Sequence, residues 1–290
     1  LKERIESYGL KWTAIENVPL IFYDKVILGL PGRDEQIENY CQTIRNMGKL
    51  GIPMLGHHFS PTFVWRTTTQ APGRGGARAT AFDERQLRPG DNAFREMMAR
   101  KRHLLDYDVF EAVDGMTADD LFDNYRYFMD AVLPTAEKAG VMLALHPDDP
   151  PMDLLRGMPR LVFQPELYQR VIDISPSKSN KLELCLGSIQ EMTHGSVYDA
   201  IEQYGGQGRI SYVHFRNVKG KVPTYDEVFV DEGDIDMLRA LALLEAHNFD
   251  GVIIPDHTPE ILCSAPWHAG MAFALGYMRS ALQMAKQRTA

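Results

Sequence analysis

Short apolar segments alternate along the chain with longer segments of helical periodicity, and this alternation restricts the fold more than any other feature. Six apolar segments are strand candidates, at residues 12–17, 52–59, 141–147, 182–187, 210–217 and 252–257. Nearly continuous apolar strands separated by helices are typical of a parallel sheet that is buried on both faces. The pattern therefore predicts the α/β fold class.

The intervals between these strands carry helical periodicity, at residues 33–51, 117–140, 165–174, 196–205 and 234–248. Thr117 is predicted to cap the second of these helices, and Gly51 to end the first. Six such units fit either an open doubly wound sheet or most of an eight-stranded barrel. Because no glycine-rich phosphate-binding turn joins a strand to a helix, the sequence favours a (β/α)8 TIM barrel with residues 1–290 as a single domain.

The first residues, LKERIESYG, have the character of a helix whose own strand lies before Leu1. A closed barrel needs two strands more than the six segments above provide. We therefore expect an N-terminally incomplete barrel that lacks its first two strands.

Composition excludes several classes of protein. The 290 residues include 31 Lys plus Arg against 39 Asp plus Glu, a net charge of −8 that argues against nucleic acid as a partner. No segment approaches the roughly 18 consecutive apolar residues of a transmembrane helix, so no membrane association is expected. Three scattered cysteines, Cys41, Cys185 and Cys263, indicate a reducing compartment and predict a cytoplasmic location.

Residues 60–91 form a long stretch rich in Thr, Arg, Gly and Pro. Loops longer than about 15 residues without structure of their own are often functional, so we expect a lid here. Trp65 and Arg66 at its start are candidates for covering a sugar-like acid. Neighbouring residues of a strand point to opposite faces, so one of His57 and His58 faces the site, and we favour His58.

Four strand candidates end in residues that can bind a metal ion: His146, Cys185, His214 and Asp256. The carboxyl ends of parallel strands form one face of the fold, so these side chains are expected to converge. Two imidazoles, a thiolate and a carboxylate suit Mn(II), Fe(II), Co(II) or Zn(II) better than Mg(II) or Ca(II). The alternative is a set of buried polar residues that holds no ion.

Further polar residues lie close to these ligands in sequence. His257 directly follows Asp256 and is a candidate general base, because neutral imidazole titrates near physiological pH. Arg216 lies two residues beyond His214, and its planar guanidinium could pair with a substrate carboxylate, with Lys219 as a looser helper. The alternative for Arg216 and Lys219 is that they are solvated charges in a loop.

The motifs around these residues also carry a family resemblance. They are W-x-x-x-E-N from Trp12, LGLPGRDEQIENYCQTIRNM at 28–47, HPDDPP at 146–151, GMPRLV at 157–162, LCLGS at 184–188, VHFRNVK at 213–219, DIDML at 234–238, DGV with PDH at 250–257, and ALGYM at 274–278. In these motifs the chain resembles the metal-dependent mannonate dehydratases, whose fold is a xylose-isomerase-like (β/α)8 barrel.

The resemblance implies a hydro-lyase of hexuronate catabolism that converts D-mannonate, a small anionic sugar acid, to 2-keto-3-deoxy-D-gluconate. It implies that the four strand-end residues bind Mn(II) or Fe(II), that His257 is catalytic, and that two strands precede the point matching Leu1. We also expect a homo-oligomer. One position departs from the family: Met271 stands where the family carries a tyrosine thought to assist proton transfer, and His268 or Trp267 is the candidate substitute.

Two other functions remain open at this stage. Related barrels are sugar isomerases or epimerases that move protons with one divalent ion. A barrel that kept its core but lost the proton-donating tyrosine would be inactive.

Overall fold

The structure is a computed structural model that describes residues 1–62, 64–88, 90 and 92–289. The described strands, in chain order, are β1 (Ala14–Glu16), β2 (Met54–His57), β3 (Thr68–Pro72), β4 (Arg78–Asp83), β5 (Met142–Leu145), β6 (Leu154–Leu155), β7 (Met158–Pro159), β8 (Asn180–Cys185), β9 (Ile210–His214), β10 (Asn217–Lys221), β11 (Thr224–Val228) and β12 (Val252–Ile254).

The described α-helices, in chain order, are α1 (Lys2–Glu6), α2 (Asp24–Leu28), α3 (Arg33–Leu50), α4 (Ala93–Ala99), α5 (Val109–Ala112), α6 (Ala118–Ala139), α7 (Leu167–Ile172), α8 (Leu186–Glu191), α9 (Val197–Gly206), α10 (Met237–Ala246) and α11 (Pro266–Thr289). Short 3-10 turns occur at Leu20–Phe22, Arg74–Gly76, Glu84–Gln86 and Arg102–Leu104. None of the described helices has the length and apolarity needed to cross a membrane.

A parallel sheet of six strands, in the order β1-β2-β5-β8-β9-β12, forms the centre of the fold. Each of these strands falls within or overlaps one of the six predicted segments, and every neighbouring pair is parallel. The predicted α/β class and strand order along the chain are confirmed. In the described part of the chain, β1 and β12 are the two edge strands, and no bridge joins them.

The sheet curves so that strands that are not neighbours meet on its inner face. A Cβ atom built on Gly56 of β2 would lie 2.5 Å from Oε2 of Glu183 on β8 and 3.0 Å from Cε1 of Tyr212 on β9. Such a separation is closer than real Cβ contacts, so any larger residue here would displace the Glu183 side chain. The close approach shows that the inner face is packed with side chains, as in a barrel.

The helices cover the outer face of the sheet. α3 packs against α6, and α9 packs against α10. Thr117 caps α6 as predicted: its hydroxyl accepts from the backbone N–H of Asp120, whose side chain bonds back to Thr117. Gly51 and Gly140 end α3 and α6 in the left-handed conformation that favours glycine.

A second, antiparallel sheet of four strands, in the order β10-β11-β4-β3, lies over the carboxyl ends of the parallel strands. Two of its strands, β3 and β4, come from residues 60–91, which were expected to form a lid without structure of its own. The segment instead forms a hairpin around the turn PGRGG, and β4 pairs with β11. Phe63, Pro89 and Asp91 of the expected lid lie outside the described residues.

Candidate active site

Three of the four residues predicted to bind a metal lie together at the carboxyl ends of the parallel strands. His146 directly follows β5, and Cys185 and His214 are the last residues of β8 and β9. One potential ligand atom from each of the three lies within 4.8 Å of the others, and all three residues are buried. Because neighbouring parallel strands end at one edge of the sheet, residues far apart in sequence meet in this cluster.

The contacts of the two imidazoles fix which nitrogen faces the cluster. Nδ1 of His146 lies 2.6 Å from the carbonyl oxygen of Pro147 and donates to it, so Nε2 remains for a ligand. Nε2 of His214 lies 2.5 Å from Oε1 of Glu183 and 3.3 Å from Oε2 of Glu16, so Nδ1 remains. Metal-binding histidines commonly hold the second ring nitrogen against an oxygen in this way.

Asp256, the fourth predicted ligand, lies at the edge of the cluster. Its Oδ2 is 3.5 Å from Nδ1 of His214 and 3.1 Å from Nε2 of His257. Asp256 has a φ of 61°, a left-handed conformation that aspartate adopts more readily than most residues. This turn after β12 leaves both Asp256 and His257 at the strand end.

The surroundings of Cys185 favour its thiolate. Burial alone would raise the pKa of the Cys185 thiol. The Arg216 guanidinium and the neighbouring imidazoles of His146 and His214 outweigh this effect and hold the pKa well below its usual value. Since the thiolate is the form of cysteine that binds metals, the electrostatics agree with a ligand role.

Buried polar atoms around His214 lack hydrogen-bond partners in the described part of the chain. Despite the short contacts above, neither ring nitrogen of His214 nor either carboxylate oxygen of Glu183 makes a hydrogen bond of acceptable geometry. An unsatisfied buried polar group costs about 1–3 kcal/mol. A mixed set of nitrogen, sulfur and oxygen donors suits a divalent transition-metal ion, so the residues present fit such a group.

His257 is held between two carboxylates. Its Nδ1 lies 2.7 Å from Oε2 of Glu227 on β11, and its Nε2 lies 3.1 Å from Oδ2 of Asp256. Burial would lower the pKa of His257, but the Glu227 and Asp256 carboxylates outweigh burial and raise the pKa to about 10. The side chain remains 34% exposed, so this ring can exchange a proton with a bound molecule.

A buried network of charged side chains lies behind His257. We call it the arginine network, and its members are Arg66, Asp149, Glu191, Arg216 and Glu227. Arg66 pairs with Asp149 through both terminal nitrogens, and its Nε lies 2.9 Å from Oε1 of Glu227. Arg216 lies 2.5 Å from Oδ2 of Asp149 and 2.7 Å from Oε1 of Glu191. The network joins the second sheet to the barrel.

Sequence reasoning assigned no role to Asp149, Glu191 or Glu227. Asp149 lies in the loop after β5, Glu191 at the end of α8 and Glu227 on β11, so no common spacing relates them. The available signal was local: Glu191 is the only charged residue in the segment LCLGSIQEM. Its burial raises the pKa of Glu191 to about 8, and the Arg216 guanidinium offsets only part of that effect.

The three cations expected to bind substrate, Arg216, Arg66 and Lys219, have different surroundings in the structure. Arg216 is 2% exposed and lies among network carboxylates, so it holds protein groups rather than facing open space. Arg66 is likewise enclosed by Asp149 and Glu227. Lys219 is exposed and pairs in register with Asp226, on the face of the β10–β11 hairpin that points away from the barrel. Strand alternation is the reason, because Tyr225 and Glu227 occupy the inner face.

His57, the last residue of β2, and His58, which follows it, face opposite ways. His58 is buried against His146, with ring centroids 4.2 Å apart. His57 packs outward, and its Nε2 lies 3.3 Å from the hydroxyl of Tyr125 on α6. Of the pair, His58 is therefore the one beside the cluster.

The remaining predicted residues are Trp65 and, at the start of α11, His268 and Met271. Trp65 is partly buried against Phe82, with ring centroids 6.2 Å apart, and the guanidinium of Arg156 lies 5.0 Å from its ring. His268 is exposed in the first turn of α11, and Met271 follows in the same helix, partly buried. Trp267, the neighbour of His268, lines the same cavity as His257, so the role expected of His268 stays a prediction.

A cavity of 340 Å³ opens beside His257, between the parallel strands and the second sheet. Its lining includes Arg66, Arg78, Thr80, Glu227, His257 and Trp267. The cavity is of a size that admits a six-carbon acid. Asp256 contacts both His257, in the cavity wall, and His214, in the cluster with His146 and Cys185.

Comparisons with known proteins identify the family of this chain. The family model for D-mannonate dehydratase (UxuA) matches residues 1–285. The mannonate dehydratase of Lactococcus lactis subsp. cremoris (strain MG1363) is 33% identical over 275 residues, which cover 89% of this chain and 76% of that protein. The crystal structure of mannonate dehydratase from Streptococcus suis serotype 2 superposes with a TM-score of 0.88 at 30% identity, covering 100% of this chain and 80% of that one.

More distant structures share the fold alone. A D-tagatose 3-epimerase-like protein superposes with a TM-score of 0.58 at 12% identity, covering 100% of this chain and 83% of that one. The expected xylose-isomerase-like barrel architecture is thereby confirmed, with six parallel strands in the described residues. With the family model matching nearly its whole length, the chain belongs to the D-mannonate dehydratase family.

Proposed function

We propose that this chain removes water from D-mannonate to give 2-keto-3-deoxy-D-gluconate, with a divalent metal ion held by His146, Cys185, His214 and Asp256. The observation that carries the proposal is the cluster of buried nitrogen and sulfur donors beside His257, in a member of a dehydratase family. Asp256 contacts both His214 and His257 and so couples the two parts of the site.

The reaction needs a proton removed from C2, which is only weakly acidic next to a carboxylate, and a proton delivered to the leaving 3-hydroxyl. When bound, a divalent ion supplies electrostatic stabilisation of the negative charge that develops on substrate oxygens. His257 carries one of the two protons, since its ring is accessible from the cavity and fixed between two carboxylates. Glu227 keeps that ring in place from the side of the second sheet.

The arginine network gives the site its rigidity. Arg66 comes from the segment after β2 and Glu227 from β11, whereas Asp149 and Arg216 belong to the barrel. Charge-assisted bonds between buried groups are geometrically specific, and truncating one partner leaves the other uncompensated. The network therefore fixes the second sheet over the strand ends and holds Glu227 at His257.

Mn(II) or Fe(II) is the ion we propose, on the donor set and the family, with Co(II) and Zn(II) as chemically acceptable substitutes. A cytoplasmic location, proposed from the three scattered cysteines, and self-association into a homo-oligomer, proposed from the family, complete the proposal. Size-exclusion chromatography with light scattering tests the second of these.

Mass spectrometry of the reaction tests the proposed function. Purified protein supplied with Mn(II) and D-mannonate should yield a product lighter than the substrate by one water. A product of unchanged mass would instead identify an isomerase or epimerase. No conversion by the Mn(II)- or Fe(II)-supplied protein, with the ion shown bound, would overturn the proposal in favour of an inactive barrel.

A further inference from the structure

The substrate of the proposed function carries a carboxylate, and the cavity beside His257 must neutralise it. Three cationic or potentially cationic side chains line that cavity: Arg66, Arg78 and His257. Arg66 is enclosed by Asp149 and Glu227, and His257 is held by Glu227 and Asp256. Their charges are already matched by protein carboxylates.

Arg78 differs from the other two. In the described part of the chain it belongs to no ion pair, and its side chain is exposed. Its backbone forms a bridge with Glu260, with hydrogen bonds of 3.0 and 2.7 Å in the two directions. These bonds hold the Arg78 backbone beside Glu260, which lies three residues after His257 in the sequence.

Strand alternation directs the Arg78 side chain toward the site. Phe82 on the same strand stacks on Tyr225, with ring centroids 5.5 Å apart, and the Tyr225 hydroxyl donates to Asp149 across 3.0 Å. The face of β4 that carries Phe82 is therefore the face toward the barrel. Residues two apart on a strand share a face, so Thr80 and Arg78 lie on it as well.

The polar group next to Arg78 on this face also lacks a partner. Oγ1 of Thr80 is buried and makes no hydrogen bond within the described residues. A free guanidinium and an unpaired hydroxyl thus occupy adjacent positions on the wall of the cavity that contains His257. A carboxylate accepts hydrogen bonds from both kinds of donor, and arginine presents a planar fork suited to it.

We propose that Arg78 binds the carboxylate of the sugar acid and sets the preference of this site for acids over neutral sugars. The inference rests on the proposed function and assigns the cation that Arg216, Arg66 and Lys219 do not supply. Arg78 is a binding residue that acts on the carboxylate and has no part in moving protons.

The experiment compares D-mannonate with its uncharged amide, D-mannonamide, as ligands of the Mn(II)-supplied protein. Binding of both is measured by calorimetry, and kcat and KM are measured for the acid. The variants are Arg78→Gln, Arg78→Lys and a matched control, Arg85→Gln. Arg85 is an exposed arginine just past the end of the same strand that pairs only with neighbouring Asp83 among the described ion pairs.

For Arg78→Gln we expect affinity for the acid to fall about tenfold to a hundredfold, the range for a hydrogen bond to a charged group. Affinity for the amide should change little, so the preference for the acid collapses. KM should rise more than kcat falls, because a contact present before the transition state is lost. Arg78→Lys should restore part of the preference, and Arg85→Gln should behave as wild type.

An unchanged preference for the acid in Arg78→Gln would overturn the inference, and so would an equal loss of both ligands, which indicates a distorted hairpin. Wild-type protein that binds the acid but forms no product would contradict the proposed function while leaving the binding comparison valid. The two failures are therefore distinguishable.

Discussion

The six-stranded parallel sheet and the four-stranded antiparallel sheet meet at one site but supply different parts of it. The parallel sheet contributes His146, Cys185 and His214, which lie at strand ends and are buried. The antiparallel sheet contributes Arg78 and Glu227, which line the cavity. Under the proposed function this arrangement implies a division of labour: the barrel would bind the ion, and the second sheet would shape the substrate side and orient His257.

This division has a physical basis. Barrel strands are covered on both faces, so their ends are fixed to the accuracy that metal coordination requires. The second sheet touches the barrel through the arginine network and a small apolar group of Phe82, Leu155 and Tyr225. Changes at the strand-end ligands His146, Cys185 and His214 should therefore alter metal content, whereas changes in the second sheet should alter turnover at constant metal content.

The largest expected effect comes from Cys185→Ser, which removes the thiolate from the cluster. Metal content should fall, and turnover should fall with it by about 10⁴-fold, because a catalytic ion contributes several kcal/mol. Elemental analysis after gel filtration measures the first and product formation the second. Cys41→Ser, at a buried cysteine of α3, is the matched control. Retained metal in the Cys185 variant would remove this residue from the site.

His257→Asn should separate the two parts of the site most clearly. Turnover should fall by about 10³-fold, as expected for loss of a group that transfers a proton, while the ion is retained. His194→Asn, at an exposed histidine that contacts Glu166, should leave both quantities unchanged. Activity near the wild-type level in the His257 variant would place the proton transfer on another residue.

Glu227→Gln tests the second sheet directly. The amide keeps the size of the side chain but loses the charge 2.7 Å from Nδ1 of His257. We expect kcat to fall about 10- to 100-fold with metal content unchanged, by analogy with residues that orient a ligand without binding it. Glu232→Gln, beside exposed Arg74, is the control. Loss of the ion in Glu227→Gln would break the proposed division between the sheets.

Glu183→Gln is the corresponding change inside the barrel, with the smallest expected effect. Its carboxylate lies 2.5 Å from Nε2 of His214, on the side away from Cys185. Metal affinity should weaken by about tenfold, while kcat at saturating metal changes little. A chelator competition assay measures the affinity. Glu202→Gln removes a similar carboxylate contact from surface residue His247 and should have no effect. Equal affinities in wild type and Glu183→Gln would show that this contact does not tune the ligand.

The metal-ligand cluster was accessible from the sequence because it depends on topology. Each ligand follows an apolar strand, and parallel strands end at one edge, so the position along the strand predicts the position in space. His146, Cys185 and His214 meet as that rule requires. Asp256 lies at the edge of the cluster, since its side chain depends on a left-handed backbone turn that no periodicity encodes.

The residues on the substrate side of the site could not be predicted from the ends of parallel strands. Residues 60–91 contain strands β3 and β4, but short strands rich in threonine and alanine have a weak period. β4 pairs with β11, which lies more than 130 residues away in the sequence. Arg216 was expected to bind substrate because it lies two residues beyond His214 and therefore on the same strand face. Its actual partners, Asp149 and Glu191, come from a loop and a helix that sequence spacing does not relate.

The sequence by itself determined the alternation of strands and helices, the fold class and the side chains available as metal ligands, because each depends on local periodicity and on a general property of parallel sheets. Only the tertiary structure decided which charges are matched inside the protein and which remain for a ligand. Pairing between Arg66, Arg216 and their carboxylates depends on distances of a few ångströms between distant segments. Local sequence patterns do not encode distances between segments that are far apart in the chain.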